Sequence, residues 1–276
     1  MRKINKRWVM LKLAVIGKDV SKSTSPQMHG FIASELGFEI TYEKISVPEE
    51  KFDEEIKTLL KEYDGLNVTI PYKLPVIPYL LRVEGDARTF GAVNTVVTST
   101  LTGYNTDGLG FMQMLESNRV NVNGERVLLL GAGGAGRSVT KKLSDAGAFV
   151  EVYDKYKSNA HAVATEFANV TAVDAVEAKP RRLIINATGV GMHKTEGISP
   201  VSAEILEKCD TAVDLIYEPE KSEFLRIAES LGKKIINGRA MLFYQAYYSD
   251  CYYFGLKPSP ETAAKLFENY LKEIVK

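Results

Sequence analysis

Cysteine is scarce in this 276-residue chain, with only Cys209 and Cys251. Two thiols cannot build a disulfide framework, and neither stands at metal-ligand spacing. A reducing cytoplasmic compartment is therefore expected. Histidine is nearly as rare: His29, His161 and His193 are scattered, and no HExxH or paired-His pattern exists. A catalytic zinc site, or any metal site, is not expected. An excess of either charge is missing as well, since 35 Lys and Arg balance 35 Asp and Glu. That excludes non-specific nucleic-acid binding and a polybasic membrane surface, and it leaves charge chemistry local. No apolar run approaches the roughly 18 residues that span a bilayer. The basic stretch Met1–Trp8 lacks the apolar core of a signal peptide. The expectation is a soluble protein with a small-molecule substrate, acting as a monomer or homodimer without nucleic-acid or membrane partners.

What is present is alternation. Apolar residues make up 45% of the chain, and its length allows one large domain or two of moderate size. Leu13–Gly17 reads as a buried strand. Ser25-Pro26 reads as an N-cap with proline at the first helical position, opening a helix that Gly37 stops. Thr41–Val47 alternates like a strand, and Phe52, Ile56, Leu59 and Tyr63 recur at helical spacing. Leu66–Ile70 is the next strand. Ala92–Thr98 and Leu101–Asn105 form a hairpin around Ser99-Thr100. A second block follows, with strands at Val127–Leu130, Phe149–Tyr153, Leu183–Asn186 and Ala212–Leu215, and a helix from Arg137 to Ala146. The tail from Phe243 is helical, interrupted at Gly255–Pro258. Strands alternating with helices predict an α/β protein with parallel sheets. Residues 1–107 with 240–276 are expected to form one discontinuous domain, and 108–239 a Rossmann doubly wound domain.

Gly131-Ala-Gly-Gly-Ala-Gly136 is GxGxxG placed directly between a strand and a helix. The first glycine permits the tight turn, the second lets backbone approach a pyrophosphate, and the third lets the helix pack on the strand. Free N–H groups at the helix start face the anion. The bland reading is a tight turn without a ligand. The next strand ends in Asp154, near the spacing of a ribose-binding acid. Gly131, Ala132, Gly133, Gly134, Ala135, Gly136 and Asp154 are thus dinucleotide-binding candidates, and hydride transfer is the implied chemistry.

Several segments in order resemble the shikimate dehydrogenase family. They are Ser23-Thr-Ser25-Pro-Gln-Met-His29, Asn67-Val-Thr-Ile-Pro-Tyr-Lys73, Gly91-Ala-Val-Asn-Thr95, Gly103-Tyr-Asn-Thr-Asp107 and Met241-Leu-Phe-Tyr-Gln245. Asn186-Ala-Thr-Gly-Val-Gly-Met192 and Asp214-Leu-Ile-Tyr-Glu-Pro219 look like its nucleotide-domain segments. The resemblance implies an N-terminal α/β substrate domain, a Rossmann domain and a site in the cleft between them. It implies reduction of 3-dehydroshikimate to shikimate with NADPH, in aromatic amino-acid biosynthesis. A quinate/shikimate dehydrogenase using NAD is the nearest rival, and a catalytically silent nucleotide-binding regulator a more distant one.

The resemblance also implies roles. Lys73 and Asp107 resemble the catalytic pair; their bland readings are a surface lysine and an N-cap for a helix from Gly108. Ser23 and Ser25 look like carboxylate-binding hydroxyls, although Ser25 can equally be a helix cap. Asn67, Thr69, Asn94 and Gln245 look like partners for substrate oxygens. Asn94 falls within a strand, where asparagine is disfavoured unless a bulge or bend intervenes. Tyr217 is placed near the substrate or in plain core packing, and Tyr42 carries a weaker version of the same reading. His29 and the tyrosines from Tyr244 to Tyr253 read as packing. Thr188, Leu215 and Gly238 join the cofactor-binding set, with Lys155. At Asp154-Lys155-Tyr156 the family often shows Asn-Arg-Thr. Asp154 favours NAD by accepting from a ribose hydroxyl, whereas Lys155 and Lys157 can hold the 2′-phosphate of NADP. NADP is the expected cofactor, with NAD possible.

Overall fold

Two six-stranded sheets organise residues 10–275, which the computed structural model describes. The basic stretch Met1–Trp8 lies outside the described residues. The chain divides into two units, Met1–Thr106 with Phe243–Lys276, and Asp107–Leu242. The second crossing falls three residues after the one read from the sequence. It lies inside a continuous helix, so no turn or composition change marks it.

The first unit begins with β1 (Leu11–Gly17), α1 (Ser25–Leu36), β2 (Ile40–Ser46), α2 (Phe52–Glu62) and β3 (Gly65–Val68). It continues with β4 (Arg82–Val83), α3 (Asp86–Phe90), β5 (Thr95–Val97) and β6 (Thr102–Tyr104). Gly37 ends α1 in the left-handed region at φ 76°, with Phe38 N–H returning to the Ala33 carbonyl at 2.8 Å. Glycine alone adopts that conformation without a steric cost. In α2, Phe52, Ile56 and Leu59 face inward, while Asp53, Glu54 and Glu55 meet the positive end of the helix dipole. Their side chains join Ile16, Leu66, Val93 and Val96 in the core.

The strand order is β2-β1-β3-β5-β6-β4. β1 is parallel to β2 and β3, whereas β5 runs antiparallel to both β3 and β6. The sheet is therefore mixed, not wholly parallel. The cause is the hairpin: a short 3₁₀ turn at Thr98–Thr100, with Leu101 at φ 46°, joins its strands. So short a connection joins only antiparallel neighbours. β3 stops two residues before the predicted Ile70, because Tyr72 N–H turns back to the Thr69 carbonyl at 2.9 Å.

The second unit comprises α4 (Asp107–Ser117), β7 (Arg126–Leu130), α5 (Gly134–Asp145), β8 (Phe149–Tyr153), α6 (Lys157–Glu166) and β9 (Val170–Ala172). β10 (Arg181–Asn186), α7 (Ala203–Glu207), β11 (Cys209–Asp214), α8 (Glu223–Ser230) and β12 (Lys234–Ile236) follow. Its strands are all parallel, in the order β12-β11-β10-β7-β8-β9. The order reverses between β7 and β10, which is where a doubly wound sheet opens a crevice at its strand C-termini. α9 (Arg239–Phe254) crosses from the second unit to the first, and α10 (Pro260–Glu273) closes the chain. The tail packs on the first unit through aromatic rings: Phe38 on Phe254 at 4.1 Å and Tyr104 on Tyr252 at 3.8 Å. Among the described residues, no helix is long and apolar enough to cross a membrane.

Candidate active site

In the first unit, side chains from β3, the approach to β5, the end of β6 and α9 converge on one polar lattice. Asn67 is the third residue of β3; its Nδ2 donates to Ser249 Oγ at 3.2 Å and to the Asn94 carbonyl at 3.4 Å. Asn94 lies in a bend just before β5, not within a strand. Its Oδ1 accepts from Thr106 N–H at 3.0 Å and from the Thr95 hydroxyl at 2.8 Å. Its backbone is still paired on both sides, with its N–H on the Tyr104 carbonyl at 3.0 Å and its carbonyl accepting from Val68 N–H at 2.9 Å. Thr106 Oγ1 lies 3.4 Å from Gln245 Oε1 and 3.1 Å from Ser249 Oγ. Gln245 and Ser249 are one helical turn apart on α9, so both face the same way. Asn67, Asn94, Thr106 and Ser249 are all buried, and hydrogen bonding is what makes that burial affordable.

Beside this lattice, Ser23 Oγ and Ser25 Oγ are 3.0 Å apart. The cap of α1 is Thr24 and Ser25 is the first helical residue, so Ser25 does not act as the predicted N-cap. Its N–H instead turns back to Ser23 Oγ at 3.2 Å. Tyr42 Oη donates to Asn67 Oδ1 at 2.7 Å. Thr69 follows β3, with its N–H on the Ile16 carbonyl at 2.9 Å. Lys73 is half-buried in the turn after it, and its carbonyl accepts from Val93 N–H at 2.8 Å, next to Asn94. Asp107 is buried as the first residue of α4 itself, one position inside the cap read from the sequence. Tyr217, past the end of β11, is half-buried, and burial raises its phenol pKa.

The glycine turn of the second unit shows three different requirements. Gly131 has φ 97°, a region closed to most side chains. A Cβ on Gly136 would stand 2.0 Å from the Gly131 carbonyl oxygen, so α5 packs on the turn only with glycine there. A Cβ on Gly133 or Gly134 would meet nothing within 4 Å. α5 starts three residues earlier than predicted, with Gly133 as its cap and no side chain capping it. Its first N–H groups are thus left to an anion, and the turn fits a pyrophosphate. Thr188 reaches this place: its methyl would lie 2.9 Å from a Cβ on Gly131, and its hydroxyl donates to Asn186 Oδ1 at 2.6 Å. Gly238 packs on the Leu215 carbonyl, where a Cβ would come within 2.1 Å. Leu215 N–H in turn reaches the Asn186 carbonyl at 2.9 Å.

Asp154 is engaged within its own unit. Oδ2 accepts from Ala132 N–H at 2.7 Å and Oδ1 from Tyr156 N–H at 2.8 Å. Lys155 Nζ lies 4.8 Å from the centre of the exposed Tyr156 ring. Lys157 pairs with Asp174 at 2.9 Å.

Residues 15–96 match the family model for the shikimate dehydrogenase substrate binding domain. A shikimate dehydrogenase (NADP(+)) of Thermus thermophilus is 39% identical over 253 residues, covering 91% of this chain and 95% of the relative. The chain belongs to the shikimate dehydrogenase family. A solved Thermus thermophilus shikimate 5-dehydrogenase, in complex with NADP(H) and shikimate, superposes with a TM-score of 0.84 at 37% identity. It covers 94% of this chain and 99% of its own. A chorismate mutase/shikimate 5-dehydrogenase fusion protein from Clostridium acetobutylicum gives a TM-score of 0.88 at 34% identity, covering 97% and 100%.

Four residues that the structure brings to these places were not singled out from the sequence. Ser249 could have been found, since it follows Gln245 by one helical turn. Thr106 could not, because its neighbour Asp107 carried the motif. Asp250 gives no sequence signal: it is fully buried and bonds to His29 Nδ1 at 2.6 Å, across more than two hundred positions. Asp214 was quoted only as part of a motif. It ties β11 to its surroundings, with Oδ1 accepting from Asn186 Nδ2 at 3.1 Å and Ile216 N–H at 3.0 Å, and Oδ2 from the Ser222 hydroxyl.

Proposed function

We propose that this chain reduces 3-dehydroshikimate to shikimate with NADPH, with residues 107–242 binding the dinucleotide and the other unit the substrate. The observation that carries the reading is the match, over nearly the whole chain, to an enzyme solved with NADP(H) and shikimate together. NADPH supplies the hydride. Lys73 stabilises the negative charge that develops on the carbonyl oxygen and delivers the proton that completes the hydroxyl. Asp107 is the carboxylate that orients the hydroxyl being formed. Ser23 and Ser25 donate to the substrate carboxylate, and Thr69, Asn67, Asn94 and Gln245 meet ring hydroxyls from the polar lattice. Tyr217 adds a further hydroxyl. At the cofactor, Gly131–Gly136 and the start of α5 hold the pyrophosphate, Thr188, Leu215 and Gly238 border it, and Lys155 faces the 2′-phosphate.

Steady-state kinetics with shikimate and quinate, each against NADP and NAD, test this reading. Shikimate with NADP is expected to give the highest kcat/KM. Turnover of quinate with NAD above that of shikimate with NADP overturns it.

A further inference from the structure

We propose that Tyr42 is a positioning residue for the substrate site, fixing the Asn67 amide from a ring held by the buried His29–Asp250 pair. The inference rests on the reading above, in which Asn67 meets the substrate. Four elements of the first unit meet here: α1 brings His29, β2 brings Tyr42, β3 brings Asn67 and α9 brings Asp250.

A phenol has one hydrogen to give. Tyr42 gives it to Asn67 Oδ1 at 2.7 Å. The Asn67 amide is thereby fixed with its oxygen toward Tyr42 and its nitrogen toward Ser249 Oγ and the Asn94 carbonyl. The reverse orientation would set the amide oxygen against that carbonyl. One hydroxyl thus sets the orientation of the amide that is proposed to meet a substrate hydroxyl. Burial and the nearby Asp250 charge keep the phenol protonated far above its ordinary range, so the donor persists at every working pH.

The footing of Tyr42 is equally defined. Its ring stacks on the His29 imidazole, with centroids 4.5 Å apart and planes 17° apart. His29 is completely buried and anchored by Asp250, yet His29 Nε2 and Asp250 Oδ2 have no hydrogen-bond partner among the described residues. Leaving buried polar atoms unpaired costs stability. In return the fold gains an imidazole plane that holds the phenol in one place.

Tyr42→Phe keeps the stacked ring and removes only the hydroxyl. The expected result is a KM for shikimate raised about tenfold, kcat within about threefold, and an unchanged Kd for NADP by calorimetry. Asn67→Ala should raise the same KM. The double variant Tyr42→Phe with Asn67→Ala should raise it by less than the product of the single effects, because both act on one group. If Asn67→Ala raises KM while Tyr42→Phe leaves it unchanged, or if the effects simply multiply, the positioning role is overturned. If Asn67→Ala does not move KM, the substrate assignment of Asn67 itself fails and this inference falls with it. Should Tyr42→Phe fail to fold, Tyr42→Leu, which likewise has no donor, takes its place under the same criteria.

Discussion

Lys73 and Asp154 show how far a single position can be judged from its type. Lysine in a motif after a strand is a catalytic candidate only by resemblance, since most lysines are solvated. The structure adds that its backbone is pinned to Val93, beside the polar lattice. If Lys73 delivers the proton, Lys73→Ala should lower kcat by about 10²–10⁴-fold, or about 3–5 kcal/mol, with KM for shikimate changed far less. A kcat within fivefold of the parent, in a variant whose hydride-transfer step shows a deuterium isotope effect, removes Lys73 from the chemistry. Asp154 was legible as an acid at the end of β8, and its spacing suggested contact with a ribose. The carboxylate also receives two backbone N–H groups, one of them from the glycine turn. Asp154→Ala should therefore weaken NADP and NAD binding together, by loosening Ala132. Lys155→Ala should weaken NADP alone. Calorimetric Kd values separate the two effects, and a selective gain for NADP in Asp154→Ala would instead assign Asp154 to the ribose. Ser25 as a first helical residue was not visible beforehand. The bend at Asn94 was open as an alternative to a strand, but the Thr106 N–H that its amide oxygen holds was not visible.

Elements were the most legible level. Periodicity and glycine placement located most of the strands and helices, because β-strands, amphipathic helices and glycine stops are local properties. The C-terminal ends of β10 and β11 were not local. There Asp214 gathers donors from Asn186, Ile216 and Ser222, and burial still raises its carboxyl pKa. Asp214→Ala leaves those donors without an acceptor, each worth about 1–3 kcal/mol when stranded, with partial rehydration. The expected loss is about 3 kcal/mol, read as a lower midpoint in urea at unchanged slope. Because Asn186 also holds Thr188 at 2.6 Å, NADP affinity should fall in the same variant. A stability within 1 kcal/mol of the parent, roughly the error of such comparisons, would mean that the acceptors are replaceable by water.

At the scale of the molecule, alternating elements were enough to read an α/β protein, and the glycine turn with the family resemblance to read an enzyme. An antiparallel pair was implicit in the hairpin read from the sequence, but its place between β3 and β4, which makes the first sheet mixed, was not readable, since a hairpin fixes only its own two strands and not the neighbours they join. The return of the tail to the first unit was inferred from surplus helices alone; Phe254 and Tyr252 now account for it physically, through Phe38 and Tyr104. Residues 107–242 are continuous in sequence and contain an entire parallel sheet with its own core. That segment should fold by itself and bind NADP. Residues 1–106 alone lack the rings that cover Phe38 and Tyr104, and should bind a hydrophobic dye and melt without a cooperative transition. Cooperative unfolding of the 1–106 fragment would show that the tail is dispensable.

The interruption of the first unit has a consequence for synthesis on the ribosome. Chains grow at roughly 5–20 residues per second, and domains fold as their last strand or helix emerges. The first sheet is made early, but residues 243–276 arrive only after all of the Rossmann unit. The inserted unit can therefore complete its fold first, while the earlier segment waits on the order of ten to thirty seconds at that growth rate. During that interval the surfaces around Phe38 and Tyr104 stay open to chaperones. The order of folding is thus the reverse of the order of translation.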